Sequence, residues 1–216
     1  MELDLIPKQS LAFESPATEF LYGGAAGGAK SFYLRVSAIR WCHEIPGIQV
    51  YLFRRTLPDL RDNHLRGPTS LHVMLQEYTA SGHVKYRSVE NEFEFWNGSI
   101  LHLCYCDSEN DVEKYRGAEI HVLLIDELTH FSEYQYRFLR SRVRRAGLTV
   151  PQRYRKRLPR IETAINARQK GYFGASPTPL AVIGSNIIYI DSSASIVRDI
   201  LPNFDDIVDR TVLSAH

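Results

Sequence analysis

Two short stretches constrain this chain most. In Val122-Leu123-Leu124-Ile125-Asp126-Glu127 an apolar run ends in two adjacent carboxylates, well downstream of Gly24-Ala25-Ala26-Gly27-Gly28-Ala29-Lys30-Ser31. A short apolar run of this kind reads as a strand buried on both faces, which belongs to a parallel sheet covered by helices. The glycine-rich stretch sits between the apolar run Glu19-Phe20-Leu21-Tyr22 and a segment at helical spacing. A turn there points successive backbone N–H groups and a helix N-terminus at a bound anion. Together, in this order, the two stretches describe an α/β sheet that seats a nucleoside triphosphate beside paired acids.

The chemistry is assigned residue by residue. The usual phosphate-loop pattern is G-x-x-x-x-G-K-[ST]. Here Gly24, Gly27 and Gly28 supply the flexible backbone, and Ala29 replaces the last glycine, adding a Cβ where positive φ is favoured. Lys30 is placed to contact the β- and γ-phosphates of ATP, and the Ser31 hydroxyl to ligate Mg2+. The competing reading is a flexible Gly/Ala linker before a helix. Asp126 and Glu127, adjacent at a strand end, point in different directions. That suits Asp126 to hold Mg2+ and Glu127 to orient and deprotonate an attacking water; elsewhere such a pair is a solvated surface. Gln9 offers an amide for the edge of adenine, or is an ordinary surface residue. Arg54 and Arg55 follow the next strand, on the edge where ligands gather in open α/β sheets, and Arg116 precedes the acidic strand. All three are candidate phosphate or DNA contacts, a plain exposed pair being the alternative for the first two. The glycine turn holds no arginine, so an arginine finger has to come from elsewhere, such as a neighbouring subunit. The scattered histidines show no HExxH spacing.

The 216 residues suffice for one substantial core, or one domain plus an extension. A net charge of +1 is uninformative, but Arg137, Arg140, Arg142, Arg144, Arg145, Arg153, Arg155, Lys156, Arg157 and Arg160 crowd one stretch. Such a stretch attracts phosphate backbones or is a solvated face. Cys42, Cys104 and Cys106 have no metal-ligand spacing and read as packing residues. The N-terminus lacks a signal-peptide pattern and no run reaches the roughly 20 apolar residues of a membrane span, which predicts an intracellular protein away from membranes. Periodicity predicts strands over 19–22, 48–53, 100–105 and 121–125, and helices over 34–45, 57–65, 71–78 and 132–145. Asn97-Gly98 marks a hairpin inserted in the mainly parallel sheet. Beyond Leu148 the texture changes; 183–190 reads as one further strand, and no motif chemistry follows.

With these residues in place, the chain resembles the large terminase subunit of tailed bacteriophages, a DNA-packaging ATPase. The resemblance runs through Pro7-Lys8-Gln9, the stretch Leu21 to Ser31, Leu52-Phe53-Arg54-Arg55-Thr56 and Tyr115-Arg116-Gly117-Ala118-Glu119. It continues through Leu124-Ile125-Asp126-Glu127-Leu128-Thr129-His130-Phe131 to Leu139-Arg140-Ser141-Arg142-Val143-Arg144, covering about residues 5–147. It implies a RecA-like P-loop fold of the type with an added strand and a catalytic glutamate (ASCE). It also implies ATP and Mg2+ as ligands, with double-stranded DNA, a portal protein and a small terminase subunit as partners. The remaining implications are assembly into a homo-oligomeric ring on the portal and residence in the bacterial host's cytoplasm. The family's coupling run, Asn-Pro-Gly-Gly, is missing: Pro159-Arg160-Ile161 is present, but Ala167-Arg168-Gln169 follows Asn166. The expected division is therefore an ATPase domain over 1–147 and a divergent tail over 148–216. That tail holds either remaining core strands or a truncated or frameshifted end, as in a decayed prophage, with no room for the family's nuclease domain. The alternatives are a helicase-like nucleic-acid translocase, or a catalytically silent remnant that binds nucleotide, DNA or a terminase partner.

Overall fold

A computed structural model describes residues 4–23, 29–145, 147–164 and 187–190. Gly24, Gly27 and Gly28 lie outside the described residues, as do Asn166-Ala167-Arg168-Gln169 and positions 183–186 of the last expected strand. Helix α1 (Pro7–Glu14) opens the chain with Pro7 in its first turn, where the missing N–H forfeits no helical bond. Strand β1 (Glu19–Tyr22) leads to the glycine stretch, and α2 (Lys30–Glu44) follows it. Strand β2 (Gln49–Arg54) runs into α3 (Leu57–Leu60), whose N-cap Thr56 accepts from Asp59 N–H at 3.1 Å. A single π-helical turn, Arg61–Leu65, continues it. The segment expected as one helix over 71–78 is two short ones, α4 (Leu71–Met74) and α5 (Gln76–Ala80).

Three strands then form the edge: β3 (Val84–Arg87), β4 (Glu92–Phe95) and β5 (Ile100–Tyr105). The β4–β5 hairpin turns at Asn97-Gly98, with Gly98 at φ 78. Asn97 also anchors it by donating from Nδ2 to the Cys42 carbonyl at 2.8 Å. Strand β3, paired antiparallel to β4, went unrecognised in the sequence because its four residues carry charge at alternate positions, Lys85 and Arg87. Strand β6 (Val122–Asp126), α6 (Glu133–Arg140), β7 (Arg160–Ala164) and β8 (Ile187–Ile190) complete the order.

These strands form one sheet in the order β3-β4-β5-β2-β6-β7-β1-β8, parallel from β5 through β8 and antiparallel at the β3–β4–β5 edge. Strand β7, from beyond residue 147, fills the gap between β6 and β1. It sets Asp126 opposite Ala164, which in turn lies opposite Tyr22. The period of two sends Leu52 and Leu124 to the face covered by α2. Phe53, Leu123 and Ile125 go to the other face, against Phe131, Tyr136 and Leu139. Both faces are covered at β6, which is buried along its whole length and apolar from Val122 to Ile125 rather than alternating. All three cysteines are buried and free, as packing residues.

One helix is shorter than its periodicity predicts. The expected 132–145 helix stops at Arg140, because Val143 leaves it to bridge Ile120 in parallel and Arg144 N–H donates to the Ile120 carbonyl at 2.9 Å. Sheet extension competes with the last helical turn there and wins.

Candidate functional site

The parallel register brings the ends of β1, β2, β6 and β7 to one edge of the sheet, where the sequence-predicted residues gather. Ser31 Oγ donates to Asp126 Oδ2 at 2.9 Å across 95 positions of sequence. Lys30 stands in the first turn of α2, and its ammonium feels both acids: burial lowers its pKa, while Glu127 and then Asp126 raise it. Ala29 adopts φ 51 and ψ 30, the left-handed region that the missing glycine would have occupied without strain.

Gln9 is buried against the same turn. Its Nε2 donates to the Ala29 carbonyl at 3.2 Å, and its Oε1 accepts from Ile6 N–H at 3.2 Å. It thus ties α1 to the residue that precedes α2 with the same amide that the sequence reading offers to adenine.

Asp126 is the electrostatic focus. Besides Ser31, Arg54 Nη1 reaches its Oδ2 at 2.6 Å, and His64 Nε2 lies 3.1 Å from the same oxygen. Burial pushes the carboxyl up, but the contacts with His64, Arg54 and Ser31 win and hold it at about 2. Arg54 therefore joins the site. The other two candidate arginines do not: Arg55 donates to the Cys106 carbonyl, and Arg116 is exposed and pairs with Glu113 at 2.5 Å.

Glu127 takes φ 58 and ψ 59, left-handed for a side chain that is unbranched at Cβ but bulky. Its Oε2 is buried and has no hydrogen-bond partner among the described residues. Orphaned buried acceptors of this kind are uncommon and call for an explanation in function or strain.

The donor set fits Mg2+ held together with a nucleotide. A hydroxyl and a carboxylate are hard oxygen ligands, and no group of three or more His, Cys, Asp or Glu residues gathers among the described residues. Mg2+ needs only one or two carboxylates when phosphate and water complete its octahedron. The adjoining Arg54 guanidinium competes for the same carboxylate oxygen.

Sequence reasoning missed His64 and its brace, Arg35. Both are buried, and no local pattern distinguishes His64 within Arg61-Asp62-Asn63-His64; only tertiary placement does. A cavity of about 510 Å3, lined by His43, Glu77, Tyr78, Ser81, His83 and Trp96, lies elsewhere. It sits at the far end of α2 from Lys30, about 20 Å away by helical rise, and shares no residue with the site.

Half of the basic stretch is spent on structure. Arg137 pairs with Glu133, Arg140 with Glu19, Arg153 with Glu44, Arg157 with Glu14, and buried Arg160 with Glu162. Arg142, Arg144, Arg145, Arg155 and Lys156 remain without an acidic partner among the described residues. No helix among the described residues is long and apolar enough to cross a membrane.

Residues 21–149 match the family described as terminase large subunit, T4likevirus-type, N-terminal. Among solved structures the chain is similar to the large terminase of a thermophilic bacteriophage in several crystals. In complex with ADP, that protein superposes with a TM-score of 0.56 at 16% identity, over 75% of this chain and 38% of its own. A second crystal form gives 0.54 at 14%, over 76% and 39%. Identities this low speak for the shared fold, a RecA-like α/β sheet. The present chain spans under two fifths of those terminases' length. No curated protein matches it.

Proposed function

The chain belongs to the T4likevirus-type terminase large-subunit family, over its N-terminal part, and on that premise we propose that it binds ATP with Mg2+ and hydrolyses it to drive double-stranded DNA into a viral procapsid. The observation that carries this reading is the Ser31–Asp126 hydrogen bond, which joins the two motifs at one sheet edge.

In this reading Lys30 and the amides of the turn hold the phosphates, and Ser31 and Asp126 hold Mg2+, which offsets charge on the phosphate oxygens when bound. Glu127 Oε2, with no competing protein donor among the described residues, accepts a proton from the attacking water. The water oxygen bonds to the γ-phosphorus as the bond to the β-phosphate oxygen breaks, and ADP leaves. The barrier falls through positioning and charge stabilisation, with no covalent intermediate. Gln9 holds the turn and, through it, the nucleotide end of α1. Arg54 Nη1 shares the Asp126 oxygen that would hold Mg2+, and its guanidinium would be free to turn to the phosphates once that oxygen is taken.

Strands β7 and β8 complete the sheet of a unit that begins with residues 1–147. Portal protein, small terminase subunit and further copies of the chain in a ring are the partners of this reading, in the host cytoplasm. DNA is held by its phosphates through the basic residues left without acidic partners. A second reading, a nucleotide-holding module without turnover, draws on the Arg54–Asp126 pair occupying the acid.

Purified Lys30→Ala and Glu127→Gln chains separate the readings by equilibrium nucleotide binding and by phosphate release, each with and without DNA. Lys30→Ala loses binding. Glu127→Gln keeps binding and loses on the order of 10²–10⁴-fold in turnover. Undiminished turnover in Glu127→Gln removes that residue as the base, and absence of turnover in the parent chain favours the silent module.

A further inference from the structure

We propose that His64 is the positioning residue of the site, holding the Asp126 carboxylate in place from behind while its other contacts are exchanged for ligand; this rests on the nucleotide-site reading above. Three polar groups converge on one oxygen, Asp126 Oδ2: Ser31 Oγ at 2.9 Å, Arg54 Nη1 at 2.6 Å and His64 Nε2 at 3.1 Å. They differ in what happens when a divalent cation and a triphosphate arrive. The Ser31 hydroxyl turns its lone pairs to the cation, and Arg54, itself a cation, is repelled from the oxygen it occupies. His64 alone has no reason to leave, being wholly buried and carried on a turn that α2 holds in place.

The surroundings are built for this. His64 sits in the π-helical turn Arg61–Leu65, a rare backbone form concentrated at functional positions. Arg35, one helical turn beyond Ser31 on α2, clamps that turn: Nη1 donates to the Asn63 carbonyl at 2.7 Å and Nη2 to Thr69 Oγ1 at 3.1 Å. The helix that carries the phosphate turn thus also fixes the residue that backs the acid. Neither ring nitrogen of His64 meets hydrogen-bond geometry with any partner among the described residues, although Nε2 lies 3.1 Å from Asp126 Oδ2. A buried imidazole with so little else to bond is costly to fold around. Among the described residues, the ion-pair distance it makes is to the acid assigned to the metal.

The test uses the full chain with His64→Gln, His64→Asn and His64→Phe. Gln places an amide donor near the reach of Nε2, Asn places one short of it, and Phe has none. Binding of a fluorescent ADP analogue is titrated with Mg2+ and, separately, in EDTA, and phosphate release is followed against Mg2+. Loss of such an outer contact costs about 10–100-fold in metal affinity. His64→Phe and His64→Asn should therefore raise the Mg2+ midpoint at least tenfold, with EDTA binding unchanged and His64→Gln within threefold of the parent. If Phe does not fold, the Gln–Asn difference decides. Equal Mg2+ midpoints in Gln and Asn, or loss of EDTA binding in step with Mg2+ binding, overturn the positioning role. A parent chain whose nucleotide binding ignores Mg2+ overturns the underlying site reading as well, a result distinguishable from the first.

Discussion

Ala29 and Glu127 hold left-handed backbone without being glycine, one at each side of the proposed phosphate site. Such a conformation costs an L-residue about 1–2 kcal/mol. Replacing Ala29 with glycine relieves the strain but loosens the unfolded chain, leaving a net gain of roughly 0.5–1 kcal/mol. Ala29→Gly should raise the melting temperature by about 2 °C, at the scale of 2–4 °C per kcal/mol for a chain this long; a lower melting temperature would place the strain elsewhere. At Glu127 the same conformation goes with a buried carboxylate oxygen that has no hydrogen-bond partner among the described residues, as the proposed role of a base would use. Arg54 makes a second prediction at this scale. In the proposed reading it competes for Asp126 in the free chain and turns to phosphate in the loaded one, so Arg54→Ala should lower the Mg2+ midpoint for nucleotide binding and raise KM for ATP. Movement of both in one direction would deny it one of the two roles.

Elements are tied to one another by buried charge as much as by apolar contact. Arg160, fully buried on β7, donates from Nε to Glu162 at 2.6 Å, from Nη1 to the Ser15 and Ala17 carbonyls and from Nη2 to the Ala12 carbonyl. Tyr33 of α2 donates to the same Glu162 oxygen at 3.2 Å. One guanidinium thus closes the carbonyl end of α1, the entry to β1 and the strand beside them. Removing one partner of a buried pair costs about 3–5 kcal/mol, because the other charge is left uncompensated. Arg160→Met should lose that much in urea denaturation, and Arg160→Met with Glu162→Gln should lose distinctly less. Equal losses would mean that the carbonyl contacts, not the ion pair, carry the effect.

At the scale of the molecule, ligand and charge make separable predictions. Mg2+–ATP at a hundred times its Kd should stabilise the chain by about 2.7 kcal/mol, since only the folded state binds it, and Lys30→Ala should abolish the shift in a thermal melt. DNA binding should weaken with salt to a bounded degree. Half of the basic stretch is already paired with acids, and five side chains remain. Each phosphate contact adds a slope of about −0.9 on a log–log plot, so the slope should not exceed about −5, and Arg144→Ala with Arg145→Ala should reduce it by about 2. A much steeper slope would require a phosphate-binding surface beyond these residues.

Local chemistry was legible along the chain: glycines before Lys30-Ser31 and an apolar run before Asp126-Glu127 each carry their meaning in adjacent residues. The parallel sheet followed from strands too apolar to leave a face in water. What lay beyond such reading depends on contacts between distant segments. His64 is one of four polar residues in a row until the fold buries it on Asp126. Arg160 belongs to a basic tract until the carbonyls of Ala12, Ser15 and Ala17 surround it. The helix begun at Glu133 ends early because a strand partner, Ile120, competes for its last turn. Periodicity and motif spacing encode what a residue does with its neighbours in sequence; burial and charge pairing across the sheet are properties of the assembled chain, and only the tertiary structure decided them.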